Sequence, residues 1–308
     1  VAWKNVVLSH GVNGLWRFDT LASARARLEE QLKGAPNDAQ LLAEYCEVLL
    51  GQGEIAKAID TLTQALQRQA DSRLQQLLAQ ALTDGLQADF ERFAPLAKKI
   101  DPAIERGIFG AEYLRAMAAG LQRAGRCDEA LQVLVKLVEG QQQADALERV
   151  EPSRLVRRDR RLAGQIAELL QQAPPEQRAA IDRLIAELAA KMEPRRFITY
   201  FGEHPAANQL RLKLAQTALE GEDRQPLLAE MLWREVYRVG AVEQQREAIA
   251  RLAMLLRHEK LYDDAAICFE HLRTELADAL CLDGKTGCQL FEQLPDNDPV
   301  RLRLSTPF

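Results

Sequence analysis

The sequence predicts an all-α fold, a right-handed solenoid of about six helix–turn–helix repeats with a short terminal β-hairpin. Three observations carry that expectation. From Leu21 to Ala279 the chain is a succession of long segments rich in Ala, Leu, Gln, Glu and Arg, all strong helix formers, with apolar residues three to four apart. Aromatic residues make up only 6%, and no run of alternating strands interrupts this region. Finally, three segments align with one another at a nearly constant period.

Taken in chain order, residues 1–20 form a non-helical segment. "WKNVVLSHGVNGLWRFDT", Trp3 to Thr20, is aromatic and glycine-punctuated, and offers strands to pair with the tail. Residues 21–278 form the helical repeat domain. Its three clearest units are Ala39 to Leu66, Ala111 to Val138 and Arg246 to Arg273, each a helix, a short turn and a second helix opening on an alanine. Those alanines are Ala58, Ala130 and Ala265. Four residues on stand Leu62, Leu134 and Phe269, and seven on Ala65, Leu137 and Leu272. The alanines lie 72 (130 − 58) and 135 (265 − 130) residues apart. That leaves room for degenerate units at 73–105, 150–190 and 204–238, with turns at Pro174-Pro175 and Gly202.

The tail, 279–308, contains "CLDGKTGCQLFE". Gly284-Lys285-Thr286 resembles the end of a phosphate-binding loop, but the first glycine of that loop falls on Ala279. Cys281 and Cys288, seven apart and without a neighbouring histidine, miss zinc spacings; a disulfide between them stays conceivable. What remains is a β-hairpin: "ALCL", a tight Asp-Gly turn, then "CQLF" as second strand.

The three aligned segments resemble the tetratricopeptide repeat, a helix–turn–helix unit of about 34 residues. Cys46, Ala118 and Ala253 stand at the family's small position in the first helix, and Gly53 and Gly125 at its turn glycine. The third unit departs there with Lys260, and Leu42, Leu114 and Ile249 replace the signature tryptophan. The resemblance implies a peptide-binding groove along the first helices. Its candidates are Gln40, Ala43 and Glu47, then Glu112, Arg115 and Gln122, then Glu247, Ala250 and Met254. The lysine and asparagine of the family's chaperone-tail clamp are missing, so that ligand does not carry over. In the tail, Leu282-Asp283-x-x-Thr286-Gly287 with Phe291 resembles the strand–turn–strand signature of quinoprotein-type (PQQ-like) β-propeller repeats, which carry Trp where Phe291 stands. That likeness implies a module of a larger bacterial protein with propeller repeats elsewhere, the other reading being a hairpin that merely caps the solenoid; in both Lys285 is a solvated turn residue.

Composition bounds the function. With 47% hydrophobic and 28% charged residues, 308 residues suit a folded globular chain. The net charge of -5 gives no reason to expect nucleic acid as a partner, and no apolar run reaches the ~18 residues of a membrane span. The start, Val1-Ala2-Trp3, reads as a fragment or processed form, and the compartment, cytoplasmic or extracytoplasmic, stays open. Five scattered cysteines make no disulfide framework, Cys46 and Cys268 falling inside helical patterns. His10, His204, His258 and His271 form no ligand-spaced pair, and no catalytic nucleophile arrangement appears. The densest charge feature is Arg154, Arg157, Arg158, Arg160 and Arg161. It is either a patch for an acidic partner or a solvated helix face paired with neighbouring acids. The expectation is a non-enzymatic scaffold, without cofactor or metal, binding a protein or peptide segment beside flanking domains of a parent protein. The alternative is a structural spacer with no ligand of its own.

Overall fold

The computed structural model describes residues 2–3, 6–11, 14–97, 110–140, 143–151 and 153–305, and before Thr20 the backbone alone. Strands β1 (Ala2–Trp3), β2 (Val6–Gly11) and β3 (Gly14–Asp19) form one antiparallel sheet in that order, Val6 opposite Asp19 and Gly11 opposite Gly14. They pair with one another, and among the described residues their sheet holds no further strand. Helices follow: α1 (Leu21–Gly34), α2 (Ala39–Gly51), α3 (Ile55–Arg68), α4 (Ser72–Ala88), α5 (Phe90–Ala97), α6 (Gly110–Arg123) and α7 (Cys127–Gly140). Side-chain oxygens at Thr20, Asp38 and Asp71 accept first-turn amides and so start α1, α2 and α4 where they start. Residues 98–105 of the expected 73–105 unit lie outside the described residues.

Next come β4 (Leu147–Glu151) and β5 (Arg154–Arg157), an antiparallel pair. A hairpin in a region expected to be helical throughout is a correction, and its cause is local. Glu148, Val150 and Val156 turn inward while Leu147, Arg149, Glu151 and Leu155 face solvent, a two-residue period no helix can satisfy. Pro152 between the strands further bars a continuous helix. The chain continues through α8 (Arg158–Gln172), α9 (Pro175–Lys191), α10 (Pro194–Phe201), α11 (Ala206–Thr217), α12 (Pro226–Val239), α13 (Val242–His258) and α14 (Tyr262–Thr274). It ends with β6 (Leu280–Leu282), β7 (Lys285–Thr286), α15 (Gly287–Glu292) and α16 (Pro299–Ser305).

Helices dominate, with three small sheets among the described residues, so the chain is an all-α repeat fold with a short hairpin near its end. The chain divides into two compact units, Val1–Gln142 with Gln172–Gln177, and Gln143–Gln171 with Arg178–Phe308. In the first, α2 packs on α3, α3 on α4, α4 on α6 and α6 on α7; in the second, α11 to α14 pack each on the next.

Three hairpins, α2–α3, α6–α7 and α13–α14, share one turn. Glu54 donates to Leu49 O at 2.9 Å, Arg126 to Leu121 O at 2.9 Å and Leu261 to Leu256 O at 2.8 Å, the long bond of a left-handed helix terminator. The residue before each donor has positive φ: 77° at Gly53, 71° at Gly125 and 62° at Lys260. Behind each turn, Ala58, Ala130 and Ala265 are fully buried, as are Cys46 and Ala253 on the facing first helices. Of the later packing positions, Ala65 and Leu272 are buried, while Val138 takes the buried place expected of Leu137.

The tail holds a second correction. The expected strand Cys288–Phe291 is helix α15, and β7 is only two residues long. Thr286 Oγ1 accepts the Gln289 amide at 3.3 Å and Gln289 Oε1 accepts the Thr286 amide at 2.9 Å, a reciprocal cap that starts a helix. A Cβ on Gly287 would sit 2.1 Å from Leu272 O, so only glycine lets the chain cross α14 so closely.

Candidate partner-binding faces

The first helices of the hairpins carry the expected groove residues. On α2, Gln40 and Glu47 are exposed. Gln40 donates to Glu44 at 3.2 Å, and Glu47 accepts from Arg73 of α4 at 2.9 Å, which places α2 and α4 on one face. Ala43, expected beside them, is fully buried in the helix packing. On α6, exposed Glu112 accepts from Arg115 Nη1 at 2.6 Å, but Arg115 itself is only 7% exposed and lies within the packing. Half-buried Gln122 donates to Gln172 at 2.7 Å. On α13, Glu247 accepts from Arg251 at 2.7 Å and Ala250 is fully buried. Met254 packs against the core that Phe269 and Leu290 build with the tail. The α13 set belongs to a different compact unit from the α2 and α6 sets.

The arginine cluster spans two elements instead of one helix face. Arg154 and Arg157 lie on β5, and Arg158, Arg160 and Arg161 open α8. Arg157 makes a forked pair with Asp159, at 3.1 and 2.6 Å, while Glu148 takes Arg161 at 3.1 Å and Arg158 at 3.8 Å. Burial alone would raise the Asp159 carboxyl; the Arg157 pair and the Arg160 amide together hold it below its ordinary value.

Other polar groups have structural partners. His204 Nε2 lies 3.1 Å from Asp182 while its Nδ1 accepts the Ala206 amide; His258 lies 3.0 Å from Glu259 and His271 3.2 Å from Glu275. The side chain of His10 lies outside the described residues. Burial pushes the Cys46 thiol up to about 12 and Cys268 to about 11, which leaves both protonated and unreactive at neutral pH. Cys281 and Cys288 are free thiols, donating to Ala279 O at 3.2 Å and Glu292 Oε1 at 3.5 Å. Among the described residues no group of three or more His, Cys, Asp or Glu could hold a metal ion, and no helix is long and apolar enough to cross a membrane.

Sequence reasoning missed two junctions. Arg25 of α1 donates to Glu29 at 2.9 Å, Gln52 at 3.1 Å and Glu54 at 2.5 Å, and Tyr45 Oη donates to Glu29 at 3.0 Å. The bonds to Glu29 and Glu54 push the Arg25 guanidinium well above its usual value; Arg25 and Tyr45 hold Glu29 below its own. The Arg25–Glu29 spacing of four residues was the available signal. At the second junction, Gln177 Oε1 accepts the Cys127 and Asp128 amides at 2.8 and 3.3 Å and its Nε2 donates to Gly125 O at 2.6 Å, capping α7 from far along the chain.

A family model described as tetratricopeptide repeat matches residues 15–81. That stretch covers α1, the α2–α3 hairpin and most of α4. Over that stretch the chain is similar to the tetratricopeptide repeat, and its fold is that of a helical repeat protein. A search of the curated proteins returns no match. Repeats of this family bind proteins or peptides, and the fold is one that typically does no catalysis.

Proposed function

We propose that the chain is a non-enzymatic scaffold whose first-helix faces bind a segment of another protein, α2, α4 and α6 serving in one unit and α13 in the other. The observation that carries this is the turn repeated in three hairpins, with identical backbone bonds and positive φ, together with the family match over the first of them. A stack of such hairpins sets its first helices side by side as an extended surface. The expected groove residues that support the reading are Gln40, Glu47, Glu112, Gln122 and Glu247, which reach the surface wholly or in part. Arg115 and Met254 support it less, being held in the packing.

The spacer reading has its own observation. Glu47, Glu112 and Glu247 are each already paired with an arginine, so a ligand must displace an internal ion pair to use them. The wider context, a module of a larger protein with propeller-type repeats, rests on the Leu282-Asp283-x-x-Thr286-Gly287 run, of which Thr286-Gly287 also begins α15.

Panning a random peptide library against the intact chain separates scaffold from spacer. The scaffold reading expects enriched peptides that lose about tenfold in affinity for Glu47→Ala or Gln122→Ala, the loss of one or two charge-assisted contacts. Peptides bound equally by both variants, or no enrichment at all, would leave the spacer.

A further inference from the structure

The β4–β5 hairpin takes no part in the repeat faces, yet it is built as a docking edge. Its sheet has two strands among the described residues, so neither strand has a neighbouring strand on its outer side, where backbone groups face outward. The register says which. Arg158 donates to Ala146 O at 3.0 Å, which makes that a hydrogen-bonded pair. The next pairs, Leu147 with Arg157 and, two residues on, Arg149 with Leu155, are then of the other kind, with N–H and C=O directed outward. Leu155 therefore offers its N–H and C=O along the free edge of β5, and Arg157 its N–H, the Arg157 carbonyl being taken by the first turn of α8. The β4 edge is less regular, because the register shifts between Arg149 and Glu151.

Side chains add a preference for charge. Leu147 is 61% and Leu155 55% exposed, two large apolar groups on the solvent side of a small sheet. Two of the four acids nearby are taken from within, Glu148 by Arg158 and Arg161 and Asp159 by Arg157, while Glu151 stands opposite Arg154 in the register. Arg154 and Arg160 are exposed and have no carboxylate partner among the described residues. Between residues 143 and 164 there are six arginines and four acids, a local excess of cations in a chain whose net charge is -5.

We propose that the outer edge of β5 accepts an extended segment of a partner protein as a third strand, one in which acidic and apolar side chains alternate. Its backbone would bond to the Leu155 N–H and C=O and to the Arg157 N–H. Its acids would meet Arg154 and Arg160, and its apolar residues would cover Leu155. This site stands apart from the first-helix faces and does not depend on them.

The test uses the intact chain and a fluorescent decapeptide alternating glutamate with valine and threonine, read by anisotropy. Three comparators go beside it: the same peptide with lysine for glutamate, a version N-methylated at alternate residues, and vesicles containing anionic phospholipid. Expected are saturable binding of the acidic peptide alone, a loss of about tenfold for the double variant Arg154→Glu/Leu155→Glu, and a loss of about fivefold or more on N-methylation. Leu155→Ser with Arg160→Ser, milder and equally exposed, repeats the measurement should the first variant melt early. Equal binding by the N-methylated peptide, binding unchanged by the variants, capture by vesicles in place of peptide, or no binding at millimolar peptide would each overturn the proposal.

Discussion

At Lys260 a long, charged side chain occupies a backbone conformation that its two counterparts give to glycine. The sequence showed Gly53 and Gly125 at the repeat turn and Lys260 as a departure; the backbone shows none, with φ of 62° beside 77° and 71°. What the turn requires is the left-handed conformation, which Lys260 adopts under strain, and the amide bond back to the preceding helix, which Leu261 then donates. Its side chain is exposed, so replacing it costs no packing. Lys260→Gly is expected to stabilise the protein by up to about 1 kcal/mol, relief of the strain exceeding the extra entropy of glycine in the unfolded chain. Denaturant midpoints measure it; a destabilised variant would mean that Lys260 holds the turn by its side chain. Other residues were illegible for a different reason. Nothing near Cys127 hints that Gln177 caps its helix, because the partner is brought there only by the fold.

Among the elements, those with strong periodicity were readable and the short ones were not. The long helices follow their apolar spacing, and the turn at Pro174-Pro175 falls between α8 and α9 as that spacing implies. The β4–β5 hairpin escaped because five residues of alternation within a field of arginines look like one polar helix face. Helix α15 escaped because Thr286 and Gln289 cap a helix of only six residues, too short to show a period. The arginine cluster was thus seen and its geometry misread. Its anchor, the Arg157–Asp159 pair, makes a prediction about acid. The Asp159 carboxyl is lowered in the fold, so its contribution is present above the ordinary carboxylate range, about 4, and is lost as pH falls through the lowered value. Asp159→Asn should therefore be less stable than the parent at pH 7, with the gap closing below about pH 4. Urea melts across pH 2 to 7 follow it, and a gap independent of pH would remove the ion pair from the account.

For the whole molecule, the question is how a row of helix hairpins ends without leaving its last apolar side bare. Each hairpin hides one side only against the next, so a final unit needs a cover. Here β6, α15 and α16 supply it by folding back on α13 and α14. Phe291 packs 6.5 Å from Phe269, centroid to centroid, with Arg301 and Arg273 over its ring at 4.7 and 5.4 Å. Asp298, 5% exposed, joins the cover to the repeat by accepting from Arg257 Nε at 2.8 Å and Nη2 at 2.7 Å, while capping α16 through the Val300 amide at 3.0 Å. Removing that carboxylate deletes a charged hydrogen bond and a helix cap together. Arg257 is partly exposed and can regain water, so Asp298→Ala should cost about 2–4 kcal/mol, short of the penalty for a fully buried orphan charge. Because stacked units share stability mainly with neighbours, the loss should be local. Hydrogen exchange should quicken in α13 to α16 and stay unchanged in α2 to α7. Uniform quickening along the chain would mean that the helices unfold as one cooperative body, and a stack stabilised by nearest neighbours would then be the wrong physical picture.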